Sequence, residues 1–184
     1  MKLQELMLSK DPKYWTDKGC NHSYTNYYDD ILSKYKTKQI NILEIGILNG
    51  ASLHLWDSYF EHKDTIICGL DITDNIYPEF KEMYSERVSY KTGDNYYIED
   101  NIPNEVKQIK WDIIIDDGSH DLQHQLDFYK IYEKLLSENG LLIIEDVQSI
   151  ENLNIITNTY TDLTQIDLRK NKDRYDDLLA VLIR

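Results

Sequence analysis

The chain has 184 residues, 41% of them hydrophobic, with seven glycines and three prolines; this describes one globular domain and excludes a fibrous or disordered polymer. Twenty basic against thirty-three acidic side chains leave a net charge of −13, which repels polyphosphate and disfavours nucleic acid as a partner. The basic clusters, such as Arg169-Lys170-Asn171-Lys172, are too short and too interrupted by acids to reverse that.

Met1 to Lys10 lacks the apolar core of a signal peptide, and no later run approaches the roughly 18 apolar residues of a spanning helix; a cytoplasmic protein without a membrane contact is expected. Residues 1–38 are rich in Tyr, Asp and Lys, with Tyr14, Trp15, Tyr24, Tyr27, Tyr28 and Tyr35, and read as a helical cap whose aromatics pack on the rest. Residues 39–184 form the main unit. Short β-branched runs recur there at Ile40–Ile45, Thr65–Leu70, Val88–Lys91, Trp111–Ile115 and Leu141–Ile144, with helical spacing between them, which predicts an α/β fold with a mostly parallel sheet covered on both faces. A helix is expected over 51–60, after the Asn49-Gly50 turn, and a weaker one over 78–86 with Pro78 at its first position. The strongest helical pattern is 121–136, where Leu122, Leu126, Tyr129 and Leu136 form one stripe, and Asn139-Gly140 is expected to close it. The chain then ends on two strands, 160–168 and 177–183, joined by a polar loop without a helix, an antiparallel hairpin. Cys20 and Cys68 have no C-x-x-C spacing, so neither a disulfide framework nor a zinc knuckle is suggested.

In an open parallel sheet, ligands bind beyond the carboxyl ends of the strands. The first strand ends Glu44-Ile45-Gly46, ahead of Asn49-Gly50; this is not G-x-G-x-x-G, and Glu44 opposes a pyrophosphate but suits a cationic ligand. Asp71 ends the second strand, where a carboxylate can accept ribose hydroxyls; Gly93-Asp94 follows the third, where the acid can meet an adenine amino group; Asp116 ends the fourth. Each acid alone is equally a cap for the next helix.

Asp116-Asp117-Gly118-Ser119-His120 follows the fourth strand and Glu145-Asp146 the fifth. Adjacent strands bring Asp117, Glu145 and Asp146 into one cleft, where three carboxylates stay ionised only with a cation among them; hard oxygen donors favour Mg2+. His120 has a suitable pKa to take a hydroxyl proton. The same segment also reads as a turn and helix start with Ser119 as N-cap and His120 as a capping or surface group, and His124, one turn on, allows a two-histidine site that lacks a third ligand.

The acid-glycine-x-x-x-glycine turn with its strand-end acids resembles the Rossmann-like class I methyltransferases, which implies a seven-stranded sheet and S-adenosylmethionine as cofactor. Asp17-Lys18-Gly19, His22-Ser23-Tyr24-Thr25, Tyr27-Tyr28, Ile-Asp-Asp-Gly-Ser-His with His124, Ile-Glu-Asp-Val-Gln, Asp167-Leu168-Arg169 and Arg174-Tyr175-Asp176-Asp177 resemble the metal-dependent sugar O-methyltransferases of macrolide and tetracenomycin-type biosynthesis and the cephalosporin hydroxylase-like proteins. That resemblance implies Mg2+ on Asp117, Glu145 and Asp146, and His120 as base. It places Tyr24 and Tyr27 over the cofactor, which Glu44, Gly46, Asn49, Gly50 and Ser52 would hold together with Asp71, Asp94 and Asp116. The expected reaction is methyl transfer to a hydroxyl of a sugar or related small molecule, in a protein that assembles with itself. Methylation of a catechol-like compound, or a non-catalytic subunit that binds the cofactor, are the alternatives; a dinucleotide oxidoreductase is disfavoured by the missing glycine fingerprint. Cys20 and Asn21 depart from the first motif, and no counterpart of the antibiotic enzymes' long N-terminal domain is visible; both bear on the substrate.

Overall fold

Alternation of β-branched side chains builds one seven-stranded sheet in a computed structural model that describes residues 2–7 and 16–184. The strands are β1 (Asn41–Ile45), β2 (Ile66–Asp71), β3 (Val88–Thr92), β4 (Trp111–Asp116), β5 (Leu136–Ile144), β6 (Thr164–Asp167) and β7 (Leu178–Ile183). Their spatial order is β3-β2-β1-β4-β5-β7-β6. The first five pair in parallel, and β7 runs antiparallel to both β5 and β6, as the terminal hairpin requires.

Period two sorts the strand residues onto two faces. Ile42, Ile113, Ile115, Leu141 and Ile143 face one way, with Leu179 and Val181, and are covered by α4 (Ala51–Tyr59) and by the cap. The cap consists of α1 (Leu3–Met7), α2 (Asp17–Cys20) and α3 (Tyr24–Leu32), and it buries Leu3, Leu6, Tyr24, Tyr28 and Leu32 against that face. Tyr14 and Trp15 lie outside the described residues. Leu43, Ile45, Ile114, Leu142 and Ile144 face the other way, under α7 (Leu122–Tyr132) and α8 (Ile150–Thr159). The smaller helices are α5 (Pro78–Met83), α6 (Asn104–Lys107) and α9 (Arg169–Lys172). Among the described residues no helix is long and apolar enough to cross a membrane.

Several expectations shift. Asn139-Gly140 does not close a helix: α7 ends in a 3-10 turn at Glu133–Leu135, and β5 has already begun at Leu136. The strand carries an irregularity there, pairing Leu136 with Trp111 and then Leu141 with Ile113. The buried face of α7 is Gln125, Phe128, Tyr129 and Tyr132, while Leu122 and Leu126 are only partly covered. Asp121, not Ser119, caps α7, its carboxylate accepting the Gln123 amide at 2.9 Å. The loop between β6 and β7 contains α9, a single turn too short to carry a periodic pattern. Helix α8 was not expected at all, although Ser149 caps it by accepting the Asn152 amide at 3.1 Å and Leu153 and Ile156 face the core.

Candidate functional site

Gly46 leaves β1 at φ +84°, and a Cβ on it would lie 2.1 Å from the Asp117 carbonyl oxygen. This glycine therefore lets the loop after β1 cross the loop after β4, instead of admitting a ligand as the sequence suggested. Beyond that crossing a cavity of about 550 Å³ opens at the carboxyl ends of β1, β2 and β4. Gly46, Asn49, Ser52 and Asp71 line one end; Asp117 and His120 line it too; Thr16, Asp17 and Asn21 of the cap close over it, with Tyr96 and Tyr97 from the loop after β3.

Asp71 holds the turn after β1: its Oδ2 accepts the amides of Ile47 at 2.9 Å and Leu48 at 3.0 Å, and its Oδ1 accepts that of Thr73 at 2.9 Å. Asn49 accepts the Ala51 amide at 3.1 Å at the start of α4. Gly50, at φ +89°, is the N-cap of that helix and stands outside the lining. Asp94 is exposed beside the cavity's tyrosines and is not part of its lining. Tyr24 is fully buried and Tyr27 half-buried in the cap, and neither reaches the cavity wall.

Strand alternation separates the acids. Asp116 points to the α7 face, where Tyr97 donates to its Oδ1 at 2.6 Å; burial pushes its carboxyl up to about 7, against the pull of the Tyr97 bond. Glu44, Asp117 and Glu145 point to the opposite face and meet there on Lys18. The Lys18 Nζ lies 3.1 Å from Glu44 Oε1, 2.6 Å from Asp117 Oδ2 and 2.8 Å from Glu145 Oε2, with its side chain 1% exposed. Glu44 also accepts from the Trp56 indole at 3.0 Å, and it is wholly buried, so its charge serves an internal cation and not the cavity. Tyr28 donates to the other oxygen of Glu145.

Burial alone would lower the Lys18 ammonium, but Asp117, Glu145 and Glu44 together hold it well above the ordinary lysine value. Burial also pushes Glu145 up to about 8 and Asp117 well above the carboxylate range, Lys18 opposing both. The cluster is overloaded with acid even with its ammonium in place.

Asp146 stands one step outward, at φ +53°, and His120 opposite it at φ +57°. Such angles are costly for residues other than glycine and concentrate at functional sites. Tyr24 donates to Asp146 Oδ1, while Oδ2 lies 3.3 Å from His22 Nε2 and 3.8 Å from His120 Nε2. His22 is itself anchored by Asp177 Oδ1 at 2.7 Å. One ligand-type atom each from Asp117, His120 and Asp146 lies within 4.8 Å of the others, as for His22, Asp146 and Asp176. The first of these groups adjoins the cavity, and its two carboxylates and imidazole are hard donors that fit Mg2+ or Mn2+. Burial lowers the His120 pKa, keeping the ring neutral near pH 7.

Sequence reasoning brought Asp117, His120, Glu145 and Asp146 to one region, and the structure places them there. It missed Lys18, His22, Tyr96 and Tyr97. Lys18 and His22 stood in the motifs already singled out, but their partners lie 99 to 155 residues away.

No family model matches the chain. Demethylmacrocin O-methyltransferase of Streptomyces fradiae is 32% identical over 149 residues, 73% of this chain and 34% of that protein. Mycinamicin VI 2''-O-methyltransferase of Micromonospora griseorubida is 31% identical over 143 residues, 73% of this chain and 34% of the relative. The solved MycE methyltransferase of the mycinamycin pathway, in complex with Mg, SAH and mycinamycin VI, superposes with a TM-score of 0.66 at 30% identity, over 79% of this chain and 39% of that one. The chain thus spans about a third of the length of these curated relatives. With the sheet order, the strand-end acids and the histidine loop agreeing with these likenesses, the chain belongs to the class I methyltransferases, beside the sugar O-methyltransferases of macrolide biosynthesis.

Proposed function

We propose that the protein transfers a methyl group from S-adenosylmethionine to a hydroxyl of a sugar or related polyol, with a divalent cation assisting. The observation that carries this reading is the continuity of one cavity from Asp71, Asn49 and Ser52 at the nucleoside end to Asp117 and His120 at the chemical end. Residues 39–184 serve as the catalytic unit and 1–38 as its cap. The acidic surface and the absence of a spanning helix among the described residues accord with a small-molecule enzyme of the cytoplasm; self-association follows only from the resemblance to larger relatives.

Mg2+, held by Asp117 and Asp146, would lower the pKa of the acceptor hydroxyl, and the cofactor would supply a sulfonium-bound methyl. The chain's own residues do the rest. Asp71 and Asn49 fix the turn that the nucleoside rests on. His120, neutral and turned toward the cavity, takes the hydroxyl proton on Nε2 as the oxygen attacks the methyl carbon, and the electrons of the breaking carbon–sulfur bond stay on sulfur. Asp146, 3.8 Å away, favours the resulting imidazolium. The cap residues Thr16, Asp17 and Asn21 exclude water from the reacting oxygen.

Calorimetric titration with S-adenosylhomocysteine, followed by transfer of labelled methyl to deoxysugar glycosides and to catechols, tests the reading. Binding of S-adenosylhomocysteine and labelling of the glycosides is expected; tight NAD binding without it would overturn the assignment, and labelling of catechols alone would move the acceptor class.

A further inference from the structure

Lys18 divides the carboxylate cluster in two. On its inner side Glu145 has both oxygens engaged, Oε2 by Lys18 at 2.8 Å and Oε1 by Tyr28, and its carbonyl accepts from Gln125 Nε2 at 2.9 Å. The side chain is 1% exposed. On the outer side Asp117 and Asp146 face His120, within 4.8 Å atom to atom. We propose that Lys18 is a built-in cation that withholds Glu145 from the divalent ion, so that the ion of this chain is held by Asp117 and Asp146 alone among its carboxylates, with water and acceptor oxygens completing the shell. This inference rests on the divalent-ion reading of the preceding section and departs from the three-acid set that the sequence resemblance implied.

Three physical arguments support it. Ionised Glu145 already has a full ammonium at hydrogen-bond distance, so an ion could recruit it only by displacing Lys18 from three acids at once. Helix α2, which carries Lys18, has no room to withdraw: a Cβ on the neighbouring Gly19 would lie 2.6 Å from Met7 and 2.9 Å from Thr25 side-chain atoms. Magnesium, finally, commonly keeps several waters and takes only one or two protein carboxylates. Lys18 is thereby also a positioning residue, since it grips Oδ2 of Asp117, a residue of the cavity wall.

The test is Mn2+ binding, read by the electron paramagnetic resonance of the free ion, on the full chain and on Glu145→Gln, Asp117→Asn and Asp146→Asn. Asp117→Asn and Asp146→Asn are expected to weaken Mn2+ by about tenfold or more. Glu145→Gln is expected to stay within about threefold, the residual being long-range charge. A tenfold loss in Glu145→Gln overturns the proposal. Because that variant alters a buried group and its fold is at risk, a crystal of the wild-type chain with Mn2+ and S-adenosylhomocysteine is the second measurement. Glu145 remaining on Lys18 and Tyr28 there supports the proposal, and a manganese–Glu145 bond refutes it. A wild-type chain that binds no Mn2+ sinks the divalent-ion reading itself, and with it this inference.

Discussion

Replacing Lys18 by methionine keeps the bulk of the side chain and removes its charge, leaving Glu44, Asp117 and Glu145 to face one another in a site closed to water. At an effective dielectric of about 20, each of the three contacts at 2.6 to 3.1 Å contributes a gross attraction of about 5 to 6 kcal/mol. The net effect is far smaller, because desolvation of the ammonium and repulsion among the acids offset most of it, and because burial already pushes Glu145 up to about 8, so that part of the negative charge is neutralised by protons. Removing one partner of a buried ion pair costs about 3 to 5 kcal/mol. In a domain of this size that corresponds to a fall in Tm of about 6 to 20 °C. The penalty should depend on pH with a definite sign: in the variant the acids can be neutralised only by protons, so the gap from wild type is largest near pH 8 and narrows toward pH 5. Urea denaturation followed by circular dichroism at the two pH values measures it. A gap under about 1 kcal/mol at pH 8, or one of equal size at both, would refute the claim that three buried charges depend on this ammonium.

Further outcomes follow from other parts of the site. His120→Ala should lower kcat by about 10²- to 10⁴-fold while leaving S-adenosylhomocysteine affinity nearly unchanged in calorimetry; wild-type turnover would remove His120 from the base role. In the wild type the acid limb of kcat/KM should lie below 6.5, because burial lowers the His120 pKa and the ring must be neutral to accept a proton. Asp116, raised to about 7 from 3.8, holds a proton in the native state that the unfolded chain has released, so stability should fall as pH rises through that window, by up to about 4 kcal/mol. Asp116→Asn should flatten that part of a pH–stability profile. Gly46→Ala should destabilise by at least about 2 kcal/mol in urea, since the new Cβ meets the Asp117 carbonyl and the backbone is left-handed; a native-like midpoint would show that the crossing of the two loops is loose.

The parts of the fold that were legible are those whose signal is local. β1, β2 and β4 each combine a β-branched run with burial on both faces, and the observed strands match the runs to within a residue at each end. The same alternation separates Asp116 from Asp117, which could have been read directly: neighbouring residues of a strand end point to opposite sides of the sheet. β5 was misplaced because Asn139-Gly140 is ordinarily a stop signal, and only its pairing with β4 on both sides of the irregularity keeps it in the strand. The polar face of α8, Asn152, Asn154, Thr157 and Asn158, masked the spacing of Ile150, Leu153 and Ile156. Asp94 and Asp71 look alike in sequence, each an acid after a strand, yet only Asp71 lines the cavity, because the loop that follows β3 presents Tyr96 and Tyr97 there.

The acid cluster marks where that kind of reading stops. Counting carboxylates at adjacent strand ends leads correctly to the conclusion that a cation must join them, for like charges closed off from water cannot all remain ionised. Counting cannot say which cation. Nothing near Glu44, Asp117 or Glu145 in the chain points to a lysine of a four-residue helix that precedes the first strand, and that lysine reaches them only because α1 and α3 dock α2 over the carboxyl ends of β1, β4 and β5. The cap is therefore part of the electrostatics of the site as well as its cover: it brings the positive charge that lets Glu44 and Glu145 be buried, and the histidine, His22, that steadies Asp146 at the rim. A change in the cap that leaves every strand-end acid in place should still alter the site, because the charge that those acids answer to comes from the cap.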